Sequence, residues 1–197
     1  MRSTEAGFHH DCLMNTREML VIVDLEATCC DAGSVPRNEM EIIEIGAVAI
    51  ERASAEVHSE FQSFVRPVRH PKLTKFCGTL TTITQADVDN ADTFPEVCKR
   101  LSAWLKQFES HVFCSWGDYD RKQVDQDCRF HGIQSPLSSR HRNLKKEFSA
   151  AMKTEKRFGV GSALRRLGMA FEGTAHRGID DAINIGRIYA AALARLD

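Results

Sequence analysis

The chain has 197 residues, of which 43% are hydrophobic and 27% charged, and its formal net charge is −1. That size and balance suit one ordinary soluble domain with a substantial core, and the net charge gives no global sign of nucleic-acid binding. No apolar run approaches the roughly 20 residues that a bilayer-spanning helix needs, and the first residues lack the plan of a signal peptide, so no membrane partner is expected.

Seven cysteines, Cys12, Cys29, Cys30, Cys77, Cys98, Cys114 and Cys128, form no C-x-x-C pair. A zinc cluster is therefore not expected, and reduced thiols in a cytoplasm are. Charge is unevenly spread. Residues 18–60 carry ten acids against two bases, and residues 140–166 carry nine bases against two acids. The basic stretch reads either as a solvated helix face or as a surface that draws a polyanion towards the acidic part.

Residues 1–17 lack a pattern and read as a loose N-terminal extension, which leaves 18–197 as a single domain. The largely apolar run Met19–Thr28, interrupted by Asp24 and Glu26, predicts a first strand over about 19–26 that is buried on both faces. A turn-rich loop follows through Asp31, Gly33 and Pro36. Glu41–Ile50 predicts a second strand and Val57–Val65 a third, with short connections that favour an antiparallel meander. Thr84 with Asp87 and Thr93 with Glu96 have capping-box spacing, so helices are expected to begin at both. The second helix aligns Phe94, Val97, Leu101, Trp104, Leu105 and Phe108 in one apolar stripe. His111–Trp116 predicts a further strand, Asp118–His131 a helix stopped by Gly132, and the remainder helices near 143–153, 159–168 and 179–195. The alternation indicates an α/β layer fold.

Asp24 and Glu26 project from the same strand face, about 7 Å apart along the chain. Two such carboxylates repel unless a cation lies between them or the strand ends in water. Downstream, Asp118 and Asp120 both fall at a helix start. Capping is assigned to Asp118 and metal binding to Asp120, because Val124 and Cys128 continue one face after Asp120. In the segment 174–184, Asp181 occupies the first turn of the last helix. Asp180 has a sufficient role beside the helix N-terminus. His176, five residues before Asp181, can approach a metal site without being a ligand, and Gly178 is expected to free the backbone between them. Glu44, inside an apolar strand, either supports the site from behind or faces solvent.

Asp24-x-Glu26, Asp120 and His176-x-x-x-x-Asp181, in that order and spacing, resemble the DEDD-type 3′–5′ exonucleases with a histidine in the third motif. Phe76–Gln85, Phe94–Val97 and Ser115–Asp120 look most like the exoribonuclease subfamily that trims histone mRNA and small-RNA ends, with its bacterial relatives. The resemblance covers about residues 19–195. It implies an RNase H-like α/β fold with a central mixed five-stranded sheet flanked by helices. It also implies that Asp24, Glu26, Asp120 and Asp181 hold two Mg²⁺ or Mn²⁺ ions, with His176 as the general base.

Such a set suits hydrolysis of a phosphodiester. Hard cations favour carboxylate oxygens, two ions can stabilise the attacking and leaving oxygens, and an imidazole exchanges protons near neutral pH. The expected reaction is release of 5′-mononucleotides from the 3′ end of single-stranded RNA or DNA. By the same resemblance the backbone after Glu26, at Ala27 and Thr28, lines the pocket for the terminal nucleotide together with Leu80 and Thr81. Tyr119 and Phe76 are candidates to stack on bases, with core packing the other reading of Phe76. The stretch Arg140–Lys146 is a candidate for upstream phosphates. Two rivals are a hydrolase of very short oligonucleotides and a non-catalytic RNA-binding module.

Overall fold

A computed structural model of the chain describes residues 18–196, so the extension expected over 1–17 lies outside the described residues. Five strands form one sheet: β1 (Glu18–Ala27), β2 (Ile42–Glu51), β3 (Val57–Phe64), β4 (Ser110–Ser115) and β5 (His141–Asn143). Their order is β3-β2-β1-β4-β5. The β3-β2-β1 meander is antiparallel, whereas β4 runs parallel to β1 and β5 parallel to β4, so the sheet is mixed. The first four strands match the sequence reading. The three residues of β5, His-Arg-Asn, have no apolar alternation and are strand only because β4 supplies hydrogen-bond partners.

Among the described residues, seven α-helices accompany the sheet: α1 (Lys75–Thr81), α2 (Gln85–Asp89), α3 (Phe94–Leu105), α4 (Tyr119–His131), α5 (Leu144–Ala151), α6 (Val160–Arg166) and α7 (Gly178–Ala192). α1 is absent from the sequence reading because its Gly and Thr residues are weak helix formers. It is started by Thr74, whose hydroxyl accepts the Cys77 N–H. α2 has the full capping box expected of Thr84 and Asp87.

Two expected caps are not made. The Thr93 side chain accepts no hydrogen bond. Pro95 at the second helical position has no N–H to give, and the Glu96 N–H already bonds the Thr93 carbonyl at 3.1 Å. Asp118 stands before α4 but does not cap it with its side chain. Its φ of −109° and ψ of −1° lie away from the extended backbone that aims a capping oxygen at the helix.

Strand periodicity sorts β1 into two cores. Val21, Val23 and Leu25 pack with the stripe of α3 and with Val124 and Cys128 of α4. Leu20 and Ile22 face the other way, against Leu144, Phe148, Leu164, Ile185 and Tyr189 from α5, α6 and α7. Each fully buried aliphatic side chain contributes about 1.5–3 kcal/mol, so both layers are firmly held. Asp24 and Glu26 continue the even-numbered face, which is the one α7 covers.

α7 approaches the sheet through two glycines. A Cβ on Gly46 would lie 2.1 Å from the Gly178 carbonyl carbon, and one on Gly178 would lie 2.9 Å from the Asp24 carbonyl oxygen. Gly178 therefore serves close packing rather than backbone freedom. The left-handed residue in this segment is His176, with φ 63°. Among the described residues, no helix is long and apolar enough to cross a membrane.

Candidate active site

Asp24 and Glu26 are half-buried at the end of β1, where the sheet ladder fixes their direction. Asp120, in the first turn of α4, is 5% exposed, and its Oδ1 accepts the Leu25 N–H at 3.3 Å. That bond ties α4 to the strand midway between Asp24 and Glu26. Asp181 stands in the first turn of α7, and its Oδ2 accepts the His176 N–H at 2.7 Å. Asp24, Glu26 and Asp181 each offer an oxygen within 4.8 Å of the others. These four residues and His176 line one open cavity of about 670 Å³.

The electrostatics follow from that crowding. Burial, then the charges of Asp120, Asp181 and Glu26, push Asp24 well above the usual carboxylate range. Burial, then Asp181 and Glu44, raise Glu26 to about 8. Burial raises Asp120 to about 6 although backbone N–H groups and Lys145 oppose it. Asp181 is also raised by burial, against the pull of the His176 N–H. Carboxylates gathered so closely favour protons or a cation. The donors are all hard oxygens, which fits a divalent ion such as Mg²⁺ or Mn²⁺.

Glu44 resolves into a buried support. It is fully buried opposite Glu26 in the β1–β2 register. It accepts from Arg177 Nε at 3.1 Å, from the Gly178 N–H at 3.1 Å and from Gln62 Nε2 at 2.7 Å. Arg177 also lies over the Phe64 ring, 5.1 Å from its centroid. Asp180 holds the preceding loop by accepting the Thr174 N–H at 2.8 Å. No sequence signal links Glu44 to a residue 133 positions away.

The residues expected to receive a nucleotide divide. Ala27, Leu80 and Tyr119 line the cavity, and Leu80 and Tyr119 are 37% and 48% exposed. Thr28 and Thr81 are buried and occupied elsewhere. The Thr28 hydroxyl accepts the Glu41 N–H, and the Thr81 hydroxyl donates to the Cys77 carbonyl while accepting the Ile83 N–H. They brace the wall from behind. Phe76 is 39% exposed, so it is not core, yet it stands one turn before Leu80, outside the cavity lining.

Trp116, Arg165 and Phe171 also line the cavity, and the sequence reading singled out none of them as a pocket residue. Trp116 directly follows β4, and ligands commonly gather beyond the carboxyl ends of strands, a signal that could have found it. Phe171 carries none, whereas Arg165 belongs to the basic stretch 140–166. Cys29 lines the cavity too, whereas the Cys30 sulfur accepts the Val35 N–H at 3.1 Å and fastens the loop after β1.

Comparison with known proteins bears directly on this geometry. The model of the exonuclease family, RNase_T, matches residues 21–189. The chain belongs to the exonuclease family. It is 34% identical over 179 residues to 3′-5′ exoribonuclease 1 of Homo sapiens, covering 87% of this chain and 51% of that protein. It is 33% identical over 175 residues to the probable 3′-5′ exonuclease KapD of Bacillus subtilis (strain 168), covering 88% of this chain and 84% of KapD. The fold matches the nuclease domain of 3′hExo, a DEDDh family member solved with rAMP, with a TM-score of 0.82 and 32% identity. That match covers 89% of this chain and 92% of the other. The chain thus spans about half the length of the human and rodent relatives it matches. The mixed five-stranded sheet agrees with the RNase H-like fold implied by the motifs.

Proposed function

We propose that this chain is a metal-dependent 3′–5′ exoribonuclease that removes 5′-mononucleotides one at a time from single-stranded RNA. The observation that carries this reading is the convergence of Asp24, Glu26, Asp120, Asp181 and His176 on one cavity. The relatives support RNA over DNA. The human protein is named an exoribonuclease, and a similar structure with 32% identity and a TM-score of 0.80 describes 3′-end recognition of a histone mRNA stem-loop. We take residues 18–197 as one exonuclease domain. The six described cysteines are all free thiols, which supports a reducing compartment such as the cytoplasm.

Two Mg²⁺ or Mn²⁺ ions, when bound, would supply positive charge to the attacked phosphate and to the attacking and departing oxygens. Asp24, Glu26 and Asp181 would hold them, with Asp120 completing the set beside Asp24. His176 takes the proton from the attacking water at its ring nitrogen. The hydrogen bond that its backbone N–H donates to Asp181 ties this base to a ligand carboxylate, so the two move together. Leu80 and Tyr119 offer apolar faces to the terminal base, which can stack whatever its identity. Hydrolysis by water needs no nucleotide cofactor and no covalent enzyme intermediate.

The test is digestion of 5′-labelled RNA and matched DNA, single-stranded and duplex, with Mg²⁺, with Mn²⁺ and with chelator. A ladder shortening from the 3′ end of single-stranded RNA and abolished by chelator is expected. Internal cuts, or activity that survives chelation, would overturn the reading.

A further inference from the structure

The cavity is acidic on its sheet side, and its other wall is built by the start of α6. There Gly159, Val160 and Gly161 present backbone and one small apolar side chain. One turn further, Arg165 is the only lysine or arginine lining the cavity among the described residues. Its guanidinium lies along the bare helix face, since a Cβ at Gly161 would be 3.6 Å from Nη1. Arg165 is exposed and has no carboxylate within ion-pair distance among the described residues.

The two arginines of the Arg140–Lys146 stretch are placed differently. Arg140 pairs with Glu18 at 2.7 Å and Arg142 with Glu147 at 2.6 Å, and neither lines the cavity. The unneutralised charge instead continues from Arg165 over the loop before α6. Lys153, Lys156 and Arg157 of that loop are all exposed, as is Arg166 beside Arg165 in α6, and Glu155 is the only acid in 153–166.

A nucleotide chain threaded into this cavity has few routes. With the terminal base against Leu80 and Tyr119 and the scissile phosphate at the carboxylates, the α6 wall is the side of the cavity that carries a free positive charge for the remaining strand. We propose that Arg165 binds the phosphate immediately 5′ of the scissile one and directs the strand over the basic segment 153–166. A guanidinium suits this because it offers several fixed donors to phosphate oxygens and stays charged at any working pH. The inference rests on the exonuclease reading above, and it assigns Arg165 to substrate positioning.

The experiment compares the wild-type chain with R165Q and R165K on a short 5′-labelled single-stranded RNA over a series of salt concentrations. R165Q is expected to raise KM about tenfold while changing kcat by less than about twofold, the signature of lost binding rather than lost chemistry. The slope of log(kcat/KM) against log salt should shrink by about one, and R165K should recover most of the loss. An unchanged KM and slope in R165Q overturns the proposal, as does an equal loss in both variants with a lowered melting temperature. A wild-type chain that fails to shorten RNA rejects the exonuclease reading instead. In that case fluorescence anisotropy with the same RNA in chelator decides the contact: about tenfold weaker binding by R165Q supports it, and equal binding sinks it.

Discussion

The two halves of the carboxylate site are built in opposite ways. Asp24, Glu26 and Asp120 belong to the sheet and to the helix pinned onto it, with backbone hydrogen bonds fixing each. His176, itself left-handed, hangs on an exposed loop that bonds Asp181 in the first turn of α7 and is tethered by the Glu44–Arg177–Gly178 contacts. The sheet half stores electrostatic repulsion in a rigid frame. The loop half depends on a few polar bonds, so it can be disturbed without unfolding the protein. Substitutions in the two halves should therefore fail differently.

Asp24→Asn gives the largest expected effect. Cleavage of labelled RNA should fall by about 10³-fold or more because the cation loses a ligand. The melting temperature measured without metal should hold or rise by about 2–4 °C, since a buried repelling charge is gone. Full activity in this variant would remove the metal assignment. His176→Ala should come next, with kcat lower by about 10²–10⁴-fold and divalent-ion binding, read by calorimetry, retained. Lost ion binding there would make the histidine a ligand and erase the distinction between the halves.

Glu44→Gln probes the tether. It leaves Arg177 half-buried without its counter-charge, so a loss of about 2 kcal/mol is expected after allowing for solvent at the guanidinium. Turnover should drop about tenfold. In the double variant with His176→Ala the effect on turnover should be smaller than the product, because both act through one loop. Multiplicative losses would show that Glu44 does not work through His176.

The smallest effect is a pH dependence of stability in the metal-free protein. Glu26 is held near 8 and Asp120 near 6 in the folded state, both above their unfolded values. Between those limits the native chain binds more protons than the unfolded one, so this stability is complete below about pH 4 and is lost as pH rises towards 8. Melting temperatures should fall from pH 5 to pH 8 in chelator, and saturating Mg²⁺ should flatten the profile. A flat profile without metal would contradict the stored repulsion in the sheet half.

The sheet half was readable in the sequence because its signal is local. Strand alternation put Asp24 and Glu26 on one face, and the apolar face continued by Val124 and Cys128 separated Asp120 from Asp118. The loop half was readable only as a motif. The partnership of Glu44 with Arg177 joins segments 133 residues apart, and no periodicity announces it. Thr28 and Thr81 were legible as neighbours of the pocket but not as inward-turned braces, since a hydroxyl bonds whichever backbone group the fold presents. α1 and β5 were missed for a related reason: tertiary contacts override weak local preference in both.

Gly46 and Gly178 meet backbone to backbone, so the gap between Asp24 and the start of α7 is set by the thickness of two polypeptide chains. Side chains can rotate or be exchanged for shorter ones, but main-chain thickness cannot change. The distance across which the two halves face each other is consequently a constant of the architecture, insulated from variation in the packing around it.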